Sequence, residues 1–418
     1  VLTSMPTAAG AAAPETARPV LWTRDFGLIC LFTLTIFTSF QMLMPTIPVY
    51  VDRMGATPLV VGLINGIFTS AALAVRPWTG LGLDRNGRRG LWLVGMAIFV
   101  LAVFGYVWAV TVPLLMALRV IHGGGWGMVT TASQAAVADI VPPARRGEGM
   151  GYFGLGANLG MAVGPATGFF IANHYGFTTL FLACGLLSVI ALLLAGAVRL
   201  PRVAPAGGGL RPALFERSAL GPSLVLFFVT FTYGGVITFI ALHAAGHGIT
   251  NAGWYFTAFA LTVVAVRPLC GMVYDRRGHR VVMIPGLLST ALGAVVLALA
   301  TDLTGFLAAA VLGGFGLGAT HPTLQALAFA RCPPNRRGAA SASFATAFDL
   351  GVGSGAVLLG VFSQFLAYSG MYLVAAGAAL AGLLAYLASV GRGQKAEPPG
   401  MEEVRGRKSE SGPEVENR

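Results

Sequence analysis

The 418 residues are 56% hydrophobic and only 10% charged, whereas a soluble domain carries about a quarter of its residues charged, so a water-soluble core with a polar shell is excluded. A net charge of +11 would suit a nucleic-acid partner, but the basic residues fall on alternate connections between apolar stretches. That is the pattern of membrane topology, and no nucleic-acid partner is expected.

Residues 1 to 24, rich in Ala and Pro, lack a basic n-region followed by an apolar h-region, so they read as a cytoplasmic tail without a cleavable signal. A spanning helix needs about 20 mostly apolar residues. Twelve such stretches follow in order: 26 to 48, 59 to 82, 91 to 109, 112 to 138, 149 to 172, 177 to 198, 221 to 243, 253 to 274, 281 to 300, 304 to 330, 340 to 365 and 370 to 390. The first six form a bundle over 25 to 199, a linker with Gly207, Gly208 and Gly209 occupies 200 to 219, and the second six form a bundle over 220 to 391. The polar tail 392 to 418 is expected to be disordered. Arginines follow spans 2, 4, 6, 8 and 10, while the intervening loops hold a single basic residue, Arg53. The positive-inside rule therefore places both termini in the cytoplasm of a cell whose plasma membrane the chain spans.

The two halves are copies. Ala74 to Arg89 reads AVRPWTGLGLDRNGRR and Ala265 to Arg280 reads AVRPLCGMVYDRRGHR, nine of sixteen positions being identical at an offset of 191. The same offset carries Pro142, Pro143, Arg145, Arg146 and Gly147 onto Pro333, Pro334, Arg336, Arg337 and Gly338, and Gln134 onto Gln325. Parallel repeats in an apolar chain are the signature of a secondary transporter whose pathway runs between them.

Enzyme readings are weak, and neither a cofactor nor a metal is expected. The only lysines, Lys395 and Lys408, lie in the polar tail, so no P-loop exists, and metalloprotease and nucleophile-elbow motifs are absent. Cys30, Cys184, Cys270 and Cys332 lack CxxC spacing and read as packing residues.

The loop from Gly80 to Arg89 has the form G-x-x-x-D-R-x-G-R-R and here the chain resembles the major facilitator superfamily. The motif residues are Gly80, Asp84, Arg85, Gly87, Arg88 and Arg89, with a second copy at Gly271, Asp275, Arg276, Gly278 and Arg280. The resemblance implies a charge latch between conformations with Asp139 as partner, whose second-half counterpart is Ala330. Gly80 is expected to admit a neighbouring helix closely. Span 4 carries Leu115, Arg119, His122 and Gly123 as L-x-x-x-R-x-x-H-G, similar to the motif of proton-coupled members, with His122 in place of a glutamine. An arginine there should face a cavity or a partner, although one satisfied by carbonyl groups is the alternative. For His122, packing is the competing reading.

Span 5 carries Gly151, Gly160, Gly164, Pro165 and Gly168 at the spacing of the family's antiporter motif, with Phe169 in place of a final glycine. Asp349, near the middle of span 11, is the acid expected to carry a proton; its first-half counterpart is Asn158. The alternative is a structural pair with Arg119 or Arg267. Arg76 and Arg267 are expected to snorkel to the interface. Gln41, Trp126, Gln134, Asn158, Tyr233, His243, His321 and Gln325 are cavity candidates, and Gly313 to Pro322 suggests a broken span 10.

The fold expected is all-α integral membrane, twelve helices in two pseudo-symmetric six-helix bundles, acting as a monomer in the lipid bilayer. The function implied by the resemblance is export of a small-molecule substrate in exchange for protons by alternating access. Export of a specific metabolite such as an opine-type metallophore or a sugar, proton symport, and a lipid-handling or sensory role on the same fold stay open.

Overall fold

The computed structural model describes residues 20–142, 145–200, 216–249, 251–330, 332 and 337–390, with the side chains of all of these but 84–86, 146–147, 337–339 and 390. The expected linker and both tails lie largely outside the described residues. Helices α1 (Arg24–Leu43), α2 (Thr46–Arg53), α3 (Pro58–Asn86), α4 (Arg88–Gly105), α5 (Val112–Ile140) and α6 (Arg146–Ala197) form the first half. Helices α7 (Leu220–Gly246), α8 (Gly253–Arg277), α9 (Arg280–Leu299), α10 (Leu303–Ala330) and α11 (Arg337–Ala385) form the second.

Ten helical stretches among the described residues are long and apolar enough to cross a bilayer, and two of them, Glu148–Ala197 and Ala340–Ser389, run for 50 residues. Fifty helical residues reach about 75 Å at 1.5 Å per residue, against a hydrocarbon core of about 30 Å, so neither crosses once. Each turns back on itself at a single non-helical residue: Gly176 (φ 86, ψ 168) in α6 and Ala367 (φ 52, ψ 179) in α11. These positions correspond in the repeat, and counting each hairpin as two crossings gives the twelve spans. Only glycine adopts this backbone region without strain, whereas alanine there costs about 1–3 kcal/mol. Ala367→Gly is accordingly expected to raise the thermal unfolding midpoint; an unchanged or lower midpoint would show the turn to be relaxed as it stands.

Packing repeats with the sequence. α1 lies on α6 as α7 lies on α11; α3 and α4 lie on α5 as α8 and α9 lie on α10. The bundles meet along two seams that are also repeat counterparts, α3 against α11 and α8 against α6. Thr23 caps α1 through its hydroxyl, which accepts from Phe26 N at 3.2 Å, and Asp25 accepts from Arg199 N at 2.9 Å, joining the ends of the first bundle.

Three expectations are corrected here. The stretch from Gly80 is not a loop, because α3 continues to Asn86 and stops only at Gly87, whose φ of 78 ends the helix. Gly80 and Gly271 have nothing within 4 Å of a Cβ and admit no close neighbour. α10 is unbroken from Leu303 to Ala330 with Pro322 inside it; its glycines serve packing, Gly314 against the Phe259 carbonyl and Gly316 against Thr290.

Candidate functional site between the bundles

The α3/α11 seam is built from small residues. A Cβ on Gly62 would stand 2.3 Å from the Ala356 carbonyl oxygen, one on Gly66 2.2 Å from Val357 Cγ2, and one on Gly360 2.9 Å from the Pro58 carbonyl oxygen. Backbones this close leave no room for side chains, which is how helices associate where lipid removes the hydrophobic drive. From the helix start at Pro58 the seam runs toward the arginine-rich end and finishes at an ion pair, Arg76 Nη2 to Asp349 Oδ2 at 2.8 Å. Beside Asp349 a groove of about 330 Å³ opens between Gly66, Thr69, Ser70, Leu73, Gly353 and Ser354.

This pair corrects two expectations. Arg76 does not snorkel; it turns toward the other bundle. The partner of Asp349 is Arg76 rather than Arg119 or Arg267. A carboxylate in a span has to find a countercharge, and Arg76 on the facing helix is in reach.

Arg119 is fully buried inside the first bundle. Its Nε donates to the Ile64 carbonyl at 3.2 Å, its Nη2 to Asn65 Oδ1, and its guanidinium lies 4.5 Å from the centre of the Phe68 ring. Asn65 in turn donates to Thr238 Oγ1 of α7 at 3.0 Å, so the network crosses to the second bundle. His122 bonds the Tyr106 hydroxyl through Nδ1 at 2.8 Å and sits edge-on to Phe99 at 4.3 Å, as a packed histidine does.

The other candidates separate into three groups. Trp126 stacks on Phe40 at 4.0 Å, and His243 bonds the Leu297 carbonyl at 3.0 Å beside Phe306 and Tyr372. Both belong to bundle interiors. Tyr233 lies near Gln41 across the two halves. With Tyr255 and Phe259 it also lines a cavity of about 30 Å³, room for about one water, inside the second bundle. His321, between Phe344 and Phe348, and the half-buried Asn158 and Gln325 sit within the spans, whereas Gln134 is exposed.

At the arginine-rich end Arg88 Nη1 meets Asp139 Oδ2 at 2.5 Å and the Ala135 carbonyl at 2.8 Å, and Arg89 donates to the Gly196 carbonyl at 2.7 Å. All of these belong to the first bundle. The side chains of Asp84 and Arg85 lie outside the described residues, and Asp275, Arg276 and Arg280 are exposed, with Gly278 (φ 79) ending α8. In α6, Gly160, Gly164 and Gly168 press on the backbone of α1 at Thr38, Gln41 and Met42, while Gly151 touches nothing. Pro165 lies within that same helix. Sequence reasoning passed over Asn65 and Tyr106; a polar side chain in the middle of span 2 was the available signal.

Two repeated bundles that meet along two seams, one of them built on glycines and ending at a charge pair, define a polytopic membrane transporter. The model of the Major Facilitator Superfamily matches residues 29–250 and 222–415, and the chain belongs to that family. It is 24% identical over 376 residues to an uncharacterised MFS-type transporter of Methanocaldococcus jannaschii, covering 86% of this chain and 97% of that one. It is also 24% identical over 361 residues to the staphylopine export protein of Staphylococcus aureus, covering 82% and 90%. Among solved structures it is similar to the nucleoside transporter NupG, with TM-score 0.69, 13% identity, and 89% and 100% of the two chains covered. A bacterial homologue of the human lysosomal transporter Spinster, solved inward-facing and unoccupied, gives TM-score 0.71 at 16% identity over 88% and 95%. The chain is a transporter and not an enzyme.

Proposed function

We propose that this transporter is a proton-coupled exporter of small organic molecules, set in the plasma membrane with both termini in the cytoplasm. The observation that carries the reading is the Arg76–Asp349 pair at the end of the α3/α11 seam. Protonating Asp349 removes the charge that holds the two bundles together there, and a ligand or proton shifts a two-state equilibrium only through such a difference between states. The contacts of Gly360 with Pro58 and of Gly62 with Ala356, the Phe169–Phe256 stack of α6 on α8 at 6.2 Å and the seating of Gly253 on Ala166 close the end opposite the arginines. α5 and α10 each pack chiefly within their own bundle. With the arginines cytoplasmic, this packing supports reading the structure as inward-facing. The glycine stripe of α6 and the similarity to an export protein support the outward direction, and Arg88 with Asp139 would weight the two conformations from within the first bundle.

Proteoliposomes holding a pH-sensitive dye test the reading. Substrate-triggered proton movement in the wild type, challenged with cationic drugs and opine-type metallophores, is expected to fall to background in Asp349→Asn. Proton movement that survives the substitution would remove Asp349 from coupling. The α3/α11 groove, with exposed Leu350 and Leu358 on its rim, favours a second reading, lipid handling. Gradient-independent movement of a fluorescent phospholipid between leaflets would place that reading first.

A further inference from the structure

The two seams are repeat counterparts, yet they are chemically unequal. The offset of 191 that carries Arg76 onto Arg267 also carries Asn158 onto Asp349. In the α3/α11 seam the arginine meets its acid at 2.8 Å. In the α8/α6 seam the acid's place is taken by a neutral amide, Asn158, and Arg267 has no carboxylate partner among the described residues. Its Nε is buried with no hydrogen bond. Arg267 stands seven residues from the end of span 8, about 10 Å inside it along the helix. His321 of α10 lies within electrostatic range of it and is held edge-on by Phe344 at 5.5 Å and Phe348 at 5.7 Å. Phe348 precedes Asp349, so the unpaired arginine, the histidine and the paired acid are gathered near one level of the molecule.

An arginine within a span faces a partner or a cavity; Arg119 is met by a carbonyl, an amide and a ring, whereas the buried Nε of Arg267 is met by none of these. Guanidinium presents a planar fork that matches carboxylate or phosphate oxygens. We propose that Arg267, with His321 near it and Asn158 at the repeat position of the missing acid on the facing helix, receives the anionic group of the transported molecule, a carboxylate or a phosphate. The substrate supplies the negative charge that the second seam lacks. This rests on the transporter reading and narrows its substrate to an organic anion.

The experiment is equilibrium binding to the purified full chain in detergent, read by thermal shift. The probes are benzene-1,3-dicarboxylate, its diamide and phenyl phosphate. The wild type is expected to be stabilised by one or both anions at concentrations at least about tenfold below any effect of the diamide, and Arg267→Gln is expected to lose that preference. Which anion is preferred assigns carboxylate or phosphate. Asn158→Asp installs the missing acid: its ligand-free melting temperature should stand at or above that of the wild type, while anion affinity falls about tenfold or more. That variant separates loss of the site from loss of folding. Equal stabilisation by diamide and dicarboxylate, an anion effect that survives Arg267→Gln, or no stabilisation of the wild type by either anion would each overturn the proposal. Binding in detergent needs no gradient, so absent proton movement would sink the coupling reading and leave this result standing.

Discussion

Gly62→Val should abolish transport while leaving the protein folded, and Gly234→Val, with the same clash, should instead prevent folding. The added Cβ meets backbone in both cases: the Ala356 carbonyl oxygen at 2.3 Å for Gly62 and the Val352 carbonyl oxygen at 2.2 Å for Gly234. Overpacking against backbone costs about 1–3 kcal/mol or more, because no rotamer change relieves it. What differs is when each contact exists. Gly62 on α3 faces α11 of the other bundle, a contact made only while that end is closed. Gly234 on α7 faces α11 of its own bundle, which stays packed in every conformation. A penalty of about 3 kcal/mol borne by one of two states shifts their ratio by roughly a hundredfold and leaves the other state untouched. The same penalty borne by all folded states is subtracted from global stability. Monodisperse yield and thermal unfolding should therefore be near wild type for Gly62→Val and much reduced for Gly234→Val. A single cysteine placed at Thr57 in a background without the native cysteines should label faster in Gly62→Val. Equal losses of folded protein in the two variants would mean that the α3/α11 seam does not part.

The residues that make the fold were legible because membrane burial writes itself in long apolar runs, and because the 191-residue repeat fixes the pairing of helices. The site was less legible. Arg76 was visible as a repeated position, but nothing local distinguishes an arginine that reaches toward lipid headgroups from one that turns to an acid 273 residues away in the chain; only the helix packing decides it. Asp349 stood out because an acid within a span is costly, whereas its partner did not. Gly80 carries a family motif and yet has open space where a Cβ would stand, and Gly62 and Gly66, outside every motif, are the glycines held tightest between the bundles. His243 and Trp126 have the chemistry of cavity residues and lie in bundle interiors, since a lone polar aromatic looks the same in sequence whether it faces a cavity or a carbonyl.

Arg119→Lys should lower the thermal unfolding midpoint about as far as Arg119→Met, even though lysine keeps the charge. The guanidinium uses separate nitrogens to reach the Ile64 carbonyl and Asn65 Oδ1 while its plane lies over Phe68. An ammonium is a compact, strongly hydrated point charge that cannot reproduce that fork, and stranding a buried charge with too few partners costs ~3–5 kcal/mol. Methionine removes the charge but leaves Asn65 and the Ile64 carbonyl short of a donor, at about 1–3 kcal/mol for each buried group. The double variant Arg119→Met, Asn65→Leu then becomes the informative one. It removes both sides of the polar contact, and apolar replacement of both partners is nearly neutral. Thr238 loses the Asn65 amide as a donor but keeps its own bond to the Gly234 carbonyl at 2.7 Å, so no orphan is created in the second bundle. The part of the stability lost at Asn65 should return in the double variant, the Ile64 carbonyl alone staying short of its donor. If Arg119 braces α3 against α5, transport in proteoliposomes returns with it. If Arg119 handles the proton, as the span 4 motif implies, stability returns and proton movement stays lost. The fully enclosed position, without a carboxylate partner among the described residues, favours the brace.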